Sequence, residues 1–298
     1  MKIIVTPDDH HVDKEQFSFF IYDLKSKEII YKEKKHDELI CLNYSYDINE
    51  GRTAFRPFGI EVNDENIYIA SNSKLAIFDK KTYKYKNNLN YPLFANTHQI
   101  IQSNNTFYIC NTAIDTIGIY EKEINHFNVV SKKIDNNIKE VKNCKDQDSV
   151  HVNSLYEHNE FIYYCLHYLN KKQSEFWRLN KNTLETEYLI DAGHSSHNIV
   201  VYKNTLYSLS SDTGEIIEYN LNTKNLKYYL AVVSEITFLR GLAIVEGKLY
   251  FGASNNFKVI PRIEKNCNIF SFDFKSKKID HVIHLDGIYT ITDFKVFD

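Results

Sequence analysis

Glycine, proline and arginine are scarce in this sequence. Nine glycines, four prolines and five arginines are spread over 298 residues, with one methionine and one tryptophan. So few glycines leave no nucleotide-binding glycine loop, and neither G-x-S-x-G nor a spaced Cys/His zinc motif occurs. Five cysteines (Cys41, Cys110, Cys144, Cys165, Cys267) are an odd number without close pairing. They read as reduced thiols of a cytoplasmic protein rather than a disulfide framework. No apolar run approaches the ~20 residues that cross a bilayer, and the N-terminal residues lack the apolar stretch of a signal peptide. A net charge of -3 with no basic run argues against nucleic acid as a partner. What remains is a chain with 14% aromatic residues, 22 Tyr and 19 Phe among them, enough for a sizeable core.

The residues that are present repeat. SSHNIVVYKNTLYSLSS, residues 195–211, reads as two short strands, Ile199–Val201 and Leu206–Leu209, joined by a tight polar turn. Its tyrosine recurs as Tyr68, Tyr108, Tyr163, Tyr207 and Tyr250, at steps of 40, 55, 44 and 43 residues. Eight residues before each stands an aliphatic anchor: Ile60, Ile100, Leu155, Ile199 and Leu242. A second hairpin with a charged or Asn turn follows each first one, over 75–85, 117–129, 176–189, 216–229 and 269–283. A further copy occupies 17–33, preceded by a lone strand at 2–5 whose missing neighbour is available at 289–297. Repetition of four-strand units at this period is the signature of a propeller. The expectation is an all-β, six-bladed β-propeller forming a single domain over 1–298, closed by pairing of the C-terminal strand with the N-terminal blade. Segments 36–55, 131–149 and 257–266 fall outside the repeat and read as loops, with a short helical turn allowed at 131–141.

In a propeller the first strand of each blade lines a central channel, so residues ahead of the anchors converge on one funnel. Two positions before them stand Phe58, His98, Asn153, His197 and Arg240, and Tyr289 if Ile291 anchors the last blade. Four positions before stand Arg56, Asn96, His151, Ser195 and Phe238. His98, His151 and His197 come from consecutive blades. Converging imidazoles suit a divalent transition metal such as Zn, Mn or Fe, or each ring caps its own strand. Without metal, His151 and His197 are the candidate acid and base. Arg56 and Arg240 offer planar forks for a carboxylate or phosphate, the alternative being inter-blade salt bridges. Asn153 and Tyr289 complete a substrate-binding set. Loops between second and third strands bring Asp8 to His11, Asn111, His167 and Ser211 to Gly214 to the same face, with Asp212 the expected carboxylate partner of a funnel histidine.

The series Arg56-Pro57-Phe58-Gly59-Ile60, His98-Gln99, Val150-His151-Val152-Asn153-Ser154, Ser196-His197-Asn198-Ile199-Val200, Ser211-Asp212-Thr213-Gly214-Glu215 and Arg240-Gly241-Leu242-Ala243 resembles an uncharacterised, mainly bacterial propeller-like family. Its members carry R-P-x-G-[IL], H-D, C-H-x-N-G, P-H-S-P-R, S-G-x-G-E and R-G-L-A in that order. Each motif is short and the likeness lies in the order, from about residue 56 to 255. The Pro and Arg of P-H-S-P-R and the Asp of H-D are absent here. The resemblance implies that the funnel residues act as a set and implies no particular reaction.

Three functions fit these residues. The first is an enzyme, a lyase, hydrolase or isomerase acting on an anionic, carbohydrate-derived small molecule with no nucleotide cofactor. The second is a non-catalytic module binding a glycan or peptide in the same funnel. A protein-interaction scaffold is the third, and it leaves the funnel's polarity without a purpose.

Overall fold

The computed structural model describes residues 1–7, 17–34, 57–71, 74–90, 96–121, 124–126, 149–231, 237–255, 267–285, 288 and 290–298. Their strands form six four-stranded antiparallel sheets. The blade that carries both chain ends, blade 1, orders its strands β24 (Ile291–Phe297), β1 (Lys2–Pro7), β2 (Phe17–Asp23) and β3 (Glu28–Lys34). The C-terminal strand is therefore the innermost strand of the first blade, as the lone strand at 2–5 required. β1 and β24 pair antiparallel from Lys2↔Phe297 to Pro7↔Ile291. The innermost strands of blades 2 to 6 are β4 (Ile60–Val62), β8 (Thr97–Ser103), β12 (Val152–His158), β16 (Ser196–Tyr202) and β20 (Thr237–Val245). Three more strands follow each of these in chain order. The segments 36–55 and 257–266, and the turn at 131–141, lie outside the described residues.

Turn chemistry explains why the outer hairpins form where they do. The third strand of five blades ends on an Asx residue whose Oδ1 accepts two backbone N–H groups just beyond it. Asp23 takes Lys25 and Ser26, Asp79 takes Lys81 and Thr82, and Asn180 takes Asn182 and Thr183. Asn220 and Asp273 do the same with Asn222 and Thr223, and with Lys275 and Ser276. Asx turns of this kind close the chain on itself without a glycine. That is how a sequence so poor in glycine turns so often.

The core lies between blades, not within them. Six buried apolar clusters are each shared by two adjacent sheets. Ile4, Phe19 and Ile21 of blade 1 meet Ile60, Ile69 and Phe78 of blade 2, and Ile3 and Phe20 meet Ile269 and Ile283 of blade 6. Since burying each such side chain contributes about 1.5–3 kcal/mol, removing one blade would expose two interfaces at once.

The innermost strands share an irregularity that decides the geometry of the channel. The ladder slips at Thr97/Ile100, Val152/Ser154, His197/Ile199 and Arg240/Leu242, and between Ile291 and Asp293 opposite Thr6/Pro7. In blade 2, Phe58 donates to the Ala70 carbonyl (2.9 Å) while Ala70 donates to the Gly59 carbonyl (2.8 Å). Two residues thus oppose one in every blade, which is a β-bulge. A regular strand would send alternate residues to opposite faces. The bulge instead lets two consecutive residues of each strand address the axis.

Candidate functional site

The axial cavity is lined by those consecutive pairs: Phe58, His98-Gln99, Asn153-Ser154, His197-Asn198, Arg240 and Thr292-Asp293. Gly59 and Gly241 complete the pattern with no side chain to contribute. The lining level in blade 1 is therefore Thr292, with Phe294 as anchor, three residues later than an anchor at Ile291 would set it. Tyr289 and Arg56 lie outside the described residues, as do Asp8 to His11.

At the base of the cavity a belt of hydrogen bonds passes through all six blades. The buried Asp293 carboxyl accepts from Asn198 Nδ2 (2.8 Å) and Phe294 N (3.0 Å) on Oδ1, and from Ile60 N and Gln99 Nε2 (both 3.3 Å) on Oδ2. Gln99 Oε1 in turn accepts from Leu155 N (2.6 Å), and Ser154 Oγ accepts from Asn198 N (2.7 Å). Asn198 Oδ1 accepts from Gly241 N (2.8 Å). Asn198 holds φ at +56° and Gly241 at +74°. Asparagine and glycine are the residues that adopt this region at least cost. A Cβ on Gly241 would stand 2.3 Å from Phe294 Cδ1, so the position admits nothing larger. Burial in this belt pushes the Asp293 carboxyl up to about 7, against the pull of Lys295 and of its own N–H donors.

Above the belt the aromatic rings form an arc. Phe58 stacks on His98 (centroids 4.5 Å), and His98 meets His151 edge-on (4.9 Å). His151 touches His167 (4.9 Å), His167 touches His197 (4.7 Å), and His197 touches Phe238 (5.2 Å), over which the Arg240 guanidinium lies at 5.2 Å. His167, at the end of a second strand, supplies the link between His151 and His197. The side chain of Asp115 fixes the arc at His151. It accepts from the backbone N–H of Ser149 (2.6 Å), Val150 (3.0 Å) and His151 (2.8 Å), and from the Ser149 hydroxyl (2.7 Å). This clamp holds His151 at φ +54°, an uncommon conformation for a residue other than glycine.

His197 has a defined tautomer. Its Nδ1 lies 2.8 Å from the Ser195 carbonyl and 2.8 Å from Ser211 Oγ, whose own proton goes to the Leu239 carbonyl (2.6 Å). Both neighbours are acceptors, so Nδ1 carries the proton and Nε2 keeps its lone pair. Nε2 is buried with no hydrogen-bond partner among the described residues. Burial holds the imidazole well below its usual range, and Arg240 and the other three histidines push the same way. His197 is therefore a neutral acceptor at physiological pH.

Several sequence-based expectations change here. Asp212 accepts the Ser195 hydroxyl (2.7 Å), and Ser195 and Ser211, not Asp212, hold Nδ1 of His197. The Asn153 amide donates to the Ser196 carbonyl (3.1 Å) and its Oδ1 accepts from Ser154 (2.7 Å), so it braces neighbouring blades. Among the described residues no group of three or more His, Cys, Asp and Glu side chains is placed to hold a metal ion. His98 packs ring against ring with His151, and His167 stands between His151 and His197. Gln99, Ser154, Asn198 and Asp293 are the residues that sequence reasoning missed. Their signal was available, a polar residue or glycine directly before each anchor.

Comparison of the sequence with family models and with curated proteins gives no match. Solved structures do match in shape. A chain from the crystal structure of a nidogen/laminin complex superposes with TM-score 0.67 at 9% identity, covering 98% of this chain and 97% of that one. A protein of unknown function from Bacteroides caccae gives TM-score 0.66 at 11% identity, with the same coverages. At such identities the likeness establishes the propeller fold and nothing about chemistry. No described helix is long and apolar enough to cross a membrane.

Proposed function

We propose that the funnel is the active site of an enzyme acting on a small hydroxylated anion, of the kind derived from carbohydrate, by a lyase, hydrolase or isomerase reaction. The observation that carries this reading is the buried, unpartnered Nε2 of His197 beside the Arg240 guanidinium. Leaving a buried acceptor unmet costs ~1–3 kcal/mol, which a bound donor would recover. In this reading Arg240 grips the ligand's carboxylate or phosphate, and Nε2 of His197 takes a hydrogen bond, or a proton, from the neighbouring hydroxyl or carbon. Phe58 and His98, stacked on one another in the cavity lining, form the wall against which the ligand's ring or chain lies. No step is routed through a metal.

A non-catalytic glycan-binding funnel is the second reading, and the depressed basicity of His197 favours it. A weak base accepts a hydrogen bond well and abstracts a proton poorly. Incubating the protein with D-glucuronate, D-galacturonate and D-gluconate in deuterated water separates the two, since NMR reports binding, turnover and deuterium incorporation together. Arg240→Lys keeps the charge but loses the fork, and should weaken binding ten- to hundred-fold, from ~1.5–3 kcal/mol per charge-assisted bond. A variant that binds these anions as tightly as the parent protein would remove Arg240 from the site.

A further inference from the structure

The partners of Asp293 are unusual for a group at the floor of a cavity that also contains an arginine. All four are N–H donors, from Ile60, Gln99, Asn198 and Phe294, and the two bonds on Oδ2 are long at 3.3 Å. Such a set suits an ionised carboxylate, yet Lys295, the nearby cation on the same strand, is itself paired with Glu61. Among the described residues the carboxylate is thus buried without a cation of its own. An anion seated at Arg240 and His197 would add a second negative charge to the same cavity. Two like charges in one buried site are avoided when either can bind a proton.

We propose that ligand binding in this funnel is proton-linked: an anion held at Arg240 and His197 is taken up together with one proton, which resides on Asp293. The proposal rests on the anionic ligand of the preceding section. The proton would sit on Oδ2, whose existing bonds are the weaker, and turn into the cavity to donate to the ligand or a water. The groups that face Asp293 leave it as the acceptor of choice. β8 offers His98, β16 offers His197, β20 offers Arg240, and β4 offers Glu61, already paired with Lys295 of β24. β1 and β12 present only Thr6, Asn153 and Ser154. Burial and Arg240 keep His197 from taking the proton. The carboxyl, raised to about 7, takes it at little cost near neutral pH.

The test is the pH dependence of D-glucuronate binding to the full chain. With a single site titrating near pH 7, the dissociation constant should weaken about tenfold from about pH 6 to about pH 8. In Asp293→Asn, neutral at every pH, that dependence should vanish. Persistence of the slope in Asp293→Asn would assign the proton to His98 or His151 and overturn the proposal. Should the variant not fold, calorimetry of the parent protein in two buffers of different ionisation enthalpy decides: close to one proton taken up per ligand near pH 8 supports it, and none refutes it. If neither D-glucuronate nor the other two sugar acids bind at any pH, the anionic-ligand reading fails by itself. Carboxyl-carbon NMR of the ligand-free protein then bears on Asp293 directly. A carboxyl still ionised at about pH 5 overturns the proposal, and a midpoint near 7 sustains it.

Discussion

Asn198 is the residue on which the axial belt turns, and three substitutions there separate its contributions. Its amide oxygen accepts from Gly241 of blade 6, its amide nitrogen donates to Asp293 of blade 1, and its backbone sits at φ +56°. Asn198→Ala removes both hydrogen bonds and places an alanine in the left-handed region. The buried Gly241 N–H and the Asp293 oxygen each lose a partner, at ~1–3 kcal/mol apiece, and the backbone adds ~1–2 kcal/mol. The expected loss is about 3–8 kcal/mol, a large share of the 5–15 kcal/mol typical of a folded domain. Asn198→Gly loses the same bonds without the backbone penalty, so it should be milder than alanine by about 1 kcal/mol. Asn198→Asp keeps the conformation and the bond to Gly241 but sets an oxygen where a donor stood, 2.8 Å from Oδ1 of Asp293. Two charges at ~3 Å repel by about 5 kcal/mol at an effective dielectric of 20, so this variant should hold together only while the pair shares a proton. Urea denaturation followed by far-UV circular dichroism, at about pH 6 and about pH 8, reads all three. Equal midpoints for the alanine and glycine variants would refute the backbone argument. All three within 1 kcal/mol of the parent protein would show that the belt bears no load.

Two other outcomes are expected. Asp293 is raised by folding and His197 is lowered, so just below about pH 6.5 the folded state protonates the first where the unfolded state protonates the second. Their effects on the slope of stability with pH oppose each other there. Asp293→Asn should leave only His197, making the protein less stable as pH falls below about 6.5. His197→Gln should leave only Asp293, whose contribution is full below about pH 4 and lost as pH rises to about 7, up to about 4 kcal/mol in all. Melting curves across that range in which both variants follow the parent protein would contradict the assignment. Deleting residues 288–298 removes β24, with Ile291, Phe294 and Phe297 buried at 0%, 1% and 8% exposure. About 5–9 kcal/mol of apolar burial leaves with them, so calorimetry should show the cooperative transition gone; an unchanged melting temperature would contradict closure.

The ring was legible because its information is periodic. Five tyrosines and five aliphatic anchors repeat at blade spacing, and one strand without a neighbour at each end of the chain asks for closure. The site was legible only by halves. Counting back from an anchor found His98, His197 and Arg240, because a residue two positions away faces the same side of a regular strand. It passed over Asn198 and Asp293, because it counted in steps of two, and the bulge that brings the adjacent residue to the axis breaks that alternation. Blade 1 was hardest: Ile4 stands where the other blades carry the ruler tyrosine, so nothing fixed its register and Thr292 and Asp293 escaped notice. The link through His167 and the clamp at Asp115 depend on loops whose lengths differ from blade to blade.

The pairing of β1 with β24 also sets how the molecule responds to force. Lys2 stands opposite Phe297, so the two ends of the chain leave the ring side by side at the same end of one ladder. Tension applied between the termini would pull the ladder open like a zipper, loading one hydrogen-bonded pair at a time. Strands pulled lengthwise past one another share the load among all their bonds, and these cannot. A ring that resists heat as one unit would therefore yield to a small pull at its seam, and the unravelling would begin beside Phe297 and run toward Asp293.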